Sequence, residues 1–99
     1  MARFSVYPNP EGPGLLLDCQ ADLLDMLATR FVVPLMAEEA VPPPIPRLMP
    51  ILVVEDRRYV MVTPHAATVP ARLLTAPVAH LADEAPAILN ALDMLLTGY

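Results

Sequence analysis

Residues 3–7 alternate polar and apolar side chains (Arg3, Phe4, Ser5, Val6, Tyr7), the period-two pattern of a half-buried strand. Residues 8–14, with three prolines and two of the chain's glycines, stop it and predict a hairpin whose return strand covers residues 15–20. Residues 30–35 (RFVVPL) read as a further strand, with Pro34 hinting at a sheet edge or a bulge. The five prolines at 42, 43, 44, 46 and 50 remove backbone donors and exclude both helix and central strand there, so residues 40–50 form a stiff surface loop.

Two apolar runs, 50–54 and 59–63, flank the four polar residues Glu55, Asp56, Arg57 and Arg58 and predict a second hairpin. Residues 63–70 read as a loop and 71–75 as a last short strand. The closing segment, 83–99, follows helical spacing through Ile88, Leu92 and Leu95. Asp83 or its neighbour is placed to cap it, and Pro86 falls in the first turn, where its missing N–H is harmless. Leu89, Met94 and Leu96 widen the apolar surface beyond one stripe, which calls for a second protein against that helix. Many short strands and one terminal helix predict a mainly β (α+β) domain, a small antiparallel barrel with a C-terminal α-helix, occupying residues 1–99 as a single unit.

Composition narrows the function. Apolar residues make up 56% of the chain and charged ones 17%, so the chain folds in spite of its 13 prolines. The net charge is −5 and the six basic residues are dispersed arginines, which argues against direct nucleic-acid binding. Cys19 is the only cysteine and sits in an apolar run, the context of a small core side chain in a reducing compartment. No run approaches the roughly 20 apolar residues of a membrane helix, and residues 1–7 lack the apolar stretch of a signal peptide; the expected location is the cytoplasm, without membrane association.

Signatures of catalysis are missing: the three glycines form no phosphate-cradling loop, and His65 and His80 have no cysteine or histidine at zinc-ligand spacing, so no cofactor or metal is expected. Asp18, Asp22 and Asp25 recur at helical spacing. Asp18 reads as a strand residue, however, and no glycine-containing metal loop surrounds the trio; Asp22 reads as a cap for the short turn that follows. Arg57 and Arg58, the only adjacent basic pair, read as a solvated turn.

Taken together, residues 4–7 (FSVY), 18–25 (DCQADLLD), 30–35 (RFVVPL), 68–70 (TVP) and the terminal helix closing in Gly98 resemble the CcdB family almost end to end. These are gyrase-poisoning toxins of toxin–antitoxin modules that serve plasmid maintenance. The resemblance implies an SH3-like barrel, a homodimer, no catalytic activity, and insertion into the A subunit of DNA gyrase, which traps that topoisomerase with its DNA cleaved. It also implies neutralisation by a CcdA-like antitoxin, whose disordered C-terminal segment wraps the toxin dimer. By position, the gyrase-facing residues are Leu23, Leu24, Asp25, Asn90, Asp93, Thr97, Gly98 and Tyr99. The antitoxin is expected on Pro8, Asn9, Pro10, Glu11 and Gly12 of the first hairpin and on Pro43 and Pro44.

The chain departs from the family's Trp-Gly-Ile ending with Thr97, Gly98 and Tyr99, and Leu89 replaces a basic residue of the family pattern. The departure keeps a second reading open: a dimeric CcdB-fold module that binds an antitoxin-like peptide and not gyrase. A third, an RNA-cleaving toxin of the MazF type, needs a basic groove and acid–base residues, for which the sequence offers only His65, His80 and scattered arginines.

Overall fold

The computed structural model describes residues 2–98. Its strands are β1 (Ser5–Pro8), β2 (Leu15–Asp18), β3 (Thr29–Ala37), β4 (Ile51–Val54), β5 (Arg57–Met61), β6 (Ala67–Pro70) and β7 (Ala79–His80), followed by one helix, α1 (Ala85–Thr97). All pairings are antiparallel, in the order β4-β5-β3-β2-β1-β7, with β6 added on β3. The result is a nearly closed SH3-like barrel with a C-terminal helix. None of the described helices is long and apolar enough to cross a membrane.

The nine-residue β3 organises the barrel. One edge pairs with β2 through Val32–Leu35, while the other edge carries β6 on residues 29–32 and β5 on residues 35–37. Pro34 therefore lies in the central strand and not at a sheet edge. It sits at the changeover between β6 and β5, where no ladder partner asks for its N–H, and its carbonyl accepts from the Val62 N–H at 2.9 Å.

Neighbouring residues on β1–β3 are buried on both faces. Val6, Leu17, Val33 and Leu35 join the main core with Phe4, Leu52, Met61 and the helix, while Tyr7, Leu16 and Val32 pack against Leu74 on the reverse side. Strands covered on both faces account for the high apolar fraction of so small a domain. Cys19 is buried in the main core, as its context predicts, and burial together with the nearby Asp18 charge pushes its thiol up to about 12.

The second hairpin turns through two residues rather than four. Glu55 and Asp56 both adopt left-handed backbone (φ 51° and 65°), as a tight two-residue hairpin turn demands, so Arg57 and Arg58 belong to β5. They are not a free solvated turn: Arg57 pairs with Glu39 at 2.9 Å and Arg58 with Glu38 at 2.9 Å, tying the 3-10 turn Glu38–Ala40 to the sheet. Those hydrogen bonds from the guanidinium groups hold both glutamates below the usual carboxylate range.

The expected strand at residues 71–75 is absent; Ala71–Leu73 is a 3-10 turn, and the strand lies earlier, at β6, inside the segment read as a loop. Two-residue β7 was also unforeseen. On α1, Pro86 does occupy the first turn, but neither Asp83 nor Glu84 caps with its side chain; a 3-10 turn, Ala82–Glu84, leads into the helix instead. Ile88, Ala91 and Leu92 are buried, whereas Leu95, on the same line, is 38% exposed.

Gly14 is one position where only glycine fits: φ is +91°, and a Cβ there would lie 2.7 Å from the Leu35 carbonyl oxygen and 2.9 Å from the Met36 sulfur. Gly14→Ala is expected to cost about 1–3 kcal/mol, combining left-handed strain with a backbone clash, and to lower the urea midpoint accordingly. A midpoint equal to the parent's would show that the first hairpin rearranges freely.

Candidate functional site: partner-binding surfaces

Between β2 and β3, residues 22–28 are all exposed, among them Leu23 (82%), Leu24, Met26 (75%) and Leu27. Four large apolar side chains on one connection, none folded inward, form the kind of patch that marks a contact surface. The 3-10 turn Asp22–Leu24 at its start contains no buried residue. Its shape is set from beneath. Arg30, fully buried at the start of β3, donates from Nε to Asp18 Oδ2 at 2.9 Å and from Nη1 to Asp25 Oδ1 at 3.0 Å. Arg30 Nη2 also lies 2.7 Å from Asp18 Oδ2, an ion-pair contact without the alignment of a hydrogen bond.

Gln20 is the second support. Its Nε2 donates to the Leu24 carbonyl at 2.9 Å, its Oε1 accepts from the Phe31 N–H at 3.0 Å, and its own N–H donates to Asp18 Oδ1. The aspartate trio is thus divided between separate tasks: Asp18 and Asp25 flank Arg30, and Asp22 Oδ1 accepts from the Arg3 N–H at 2.8 Å. Among the described residues no cluster of His, Cys, Asp and Glu has the geometry to hold a metal.

A helix advances about 100° per residue, so Asp93, Thr97 and Asn90 fall about 140°, 180° and 200° from Ile88, on the face opposite the core. All three are exposed. The Thr97 hydroxyl donates to the Asp93 carbonyl at 2.6 Å, and Asn90 Oδ1 accepts from Arg47 Nε at 3.1 Å, which ties the Pro-rich loop to the helix. Leu96, 75% exposed, and Leu89 lie together on one side of this polar line, about 80° and 100° from Ile88. Gly98 ends the helix at φ 82°, its N–H donating to the Met94 carbonyl at 2.9 Å. Tyr99 lies outside the described residues.

Residues of the first hairpin line two grooves, which share Pro13 and Met36. One, of about 410 Å³, is lined by Asn9, Glu11, Gly12, Pro13, Pro34, Met36, Val41, Val62 and His65. The other, of about 310 Å³, runs past Pro13, Gly14, Met36, Glu39, Arg57 and Tyr59. Asn9, Glu11 and Gly12, three of the residues expected to meet an antitoxin, therefore share one concavity. Pro8 and Pro10 are exposed on the same hairpin; Pro43 is exposed and Pro44 half-buried in the separate Pro-rich loop, outside both groove linings.

Met26 and Leu27 extend the apolar turn beyond Leu23 and Leu24, and Met36 floors both grooves; none of the three was singled out from sequence. The signal for the first two was present, since residues 23–27 hold four large apolar side chains in a segment too short for a helix. Arg30 gave no such signal, because its partners are 12 and 5 residues away.

A protein-family model described as "CcdB protein" matches residues 3–98.

Proposed function

Because the chain belongs to the CcdB family, and is a protein of the CcdB toxin–antitoxin type, we propose that it binds the A subunit of DNA gyrase and traps the enzyme on cleaved DNA. A CcdA-like antitoxin reverses this, and the working form is a homodimer, in keeping with a family of gyrase-inhibiting toxins rather than enzymes. The observation that carries the reading is the family match over nearly the whole chain. Two surfaces are in keeping with it: the exposed apolar turn around Leu23, Leu24 and Asp25, and the outer line of α1 through Asn90, Asp93 and Thr97. Gly98 and Tyr99 complete the gyrase-facing set.

The antitoxin takes the groove beside Asn9, Glu11 and Gly12, with Pro8, Pro10, Pro43 and Pro44 around it. Glu11 on the rim and the net charge of −5 favour a segment that carries cationic side chains beside apolar ones.

One observation favours a second reading, a dimeric module that binds an antitoxin-like peptide but not gyrase. Thr97 stands where the family has Trp, and its hydroxyl is spent on the helix's own backbone, so the position offers neither an aromatic face nor a free donor. Induced expression separates the two. The first reading expects growth arrest, with linearised plasmid accumulating when purified protein meets gyrase, supercoiled DNA and ATP. The second expects normal growth from the parent and arrest only from Thr97→Trp.

A further inference from the structure

We propose that Gln20 and Arg30 are positioning residues for the apolar turn at 22–27, holding it by hydrogen bonds in one shape before any partner arrives; the use of that shape rests on the reading of the turn as a gyrase-facing surface. Residues 22–29 have no buried side chain to anchor them. Fixing a backbone costs about 1–2 kcal/mol per residue, so a connection with no apolar anchor stays mobile unless something else restrains it.

The restraints found are polar, and two originate from buried residues of the barrel: Gln20 Nε2 on the Leu24 carbonyl and Arg30 Nη1 on the Asp25 carboxylate. Both donors are themselves fixed. Gln20 must keep its amide oxygen toward the Phe31 N–H, which aims its NH₂ at the turn, and Arg30 is held by Asp18. A buried ion pair adds little net stability over a well-packed apolar pair, so this network is better understood by what it orients than by how much it stabilises. A partner that binds one loop shape has its apparent affinity reduced by the fraction of molecules holding that shape, so an unrestrained turn binds more weakly even with every contact side chain in place.

Gln20→Glu tests this at pH 8, where the new carboxylate still accepts from Phe31 but faces the Leu24 carbonyl without a proton to donate. The probes are the amides of Leu24, Asp25 and Leu27, whose N–H groups bond within the turn at 2.9, 3.1 and 3.2 Å. In the parent these amides should be protected from hydrogen exchange; in the variant they should exchange about tenfold faster while β3 and β5 keep their protection. Association with purified gyrase A subunit should slow about tenfold with the dissociation rate unchanged, the pattern of a lost binding-ready population and not of a lost contact. The proposal is overturned if the turn amides are unprotected in the parent, if the variant leaves them as they were, if all strands loosen together, or if the turn loosens without slowing association. A parent that does not bind gyrase A at all removes the gyrase reading, while the exchange data still decide whether Gln20 holds the turn.

Discussion

Arg30→Leu is expected to lower the unfolding free energy by about 3–5 kcal/mol, since removing one partner of a buried ion pair strands the other. Arg30 and Asp18 are both 0% exposed, and Arg30 contributes two of its nitrogens to a single Asp18 oxygen. With the guanidinium gone, the Asp18 carboxylate keeps only the Gln20 N–H among these contacts. A domain of this size has about 5–15 kcal/mol of stability in total, so the variant should unfold at a much lower urea concentration. Asp25→Asn should do far less, under about 1 kcal/mol, because the Asp25 side chain is half in solvent and its attraction to Arg30 is screened. The double variant Asp18→Leu, Arg30→Leu should recover at least half of the loss, because no unpaired charge remains. A single variant as stable as the parent would mean that water reaches Asp18 and that the pair is not truly buried.

Arg30 also marks where sequence reading stops. In the string RFVVPL the arginine looks like the polar start of a strand, and its neighbours say nothing about Asp18 or Asp25. Burial of a charge is a property of a pair brought together by the β2–β3 register, and register does not exist until the sheet does. The same applies to Pro34, whose presence in the run hints at a sheet edge or a bulge. It is accommodated in the central strand because the partner on that side changes from β6 to β5 at that point.

Local signals were sufficient where structure is local. The proline–glycine cluster at residues 8–14, the 40–50 loop and the closing helix are all legible because each depends on side chains within a turn or two. The alternation at residues 3–7 locates a strand but not its burial: β1 starts at Ser5, and Phe4, Ser5, Val6 and Tyr7 are all buried because both faces of the strand are covered. Local signals failed at β6, where Thr68 and Val69 favour a strand but are only two residues, flanked by Ala67 and Pro70, and the form is owed to pairing with residues 29–32 of β3. The candidate surfaces were half legible for a related reason. Exposure of Leu23 and Leu24 could be suspected, but Met26 and Leu27 join them only because the whole connection stands outside the barrel.

Ile88→Ala should cost about 2–5 kcal/mol, the range for truncating a large aliphatic side chain in a core. Where that loss falls matters more than its size. Ile88 is 0% exposed and, with Ala91 and Leu92, forms the part of α1 inside the main core, beside Phe4 and Leu52. A helix of 13 residues with no side-chain N-cap is marginal on its own, so α1 is ordered chiefly by that contact. Hydrogen exchange should therefore accelerate across Ala85–Thr97 by more than it does in β2 and β3, and Asn90, Asp93 and Thr97 should lose their common alignment together. Leu96→Ala supplies the contrast: Leu96 is 75% exposed, and its truncation should change stability by less than about 0.5 kcal/mol. If Ile88→Ala abolishes gyrase binding and restoring the helix by lowering the temperature does not bring it back, the helix acts through more than its alignment. If binding returns with helicity, the outer face of α1 needs the core only to hold it still.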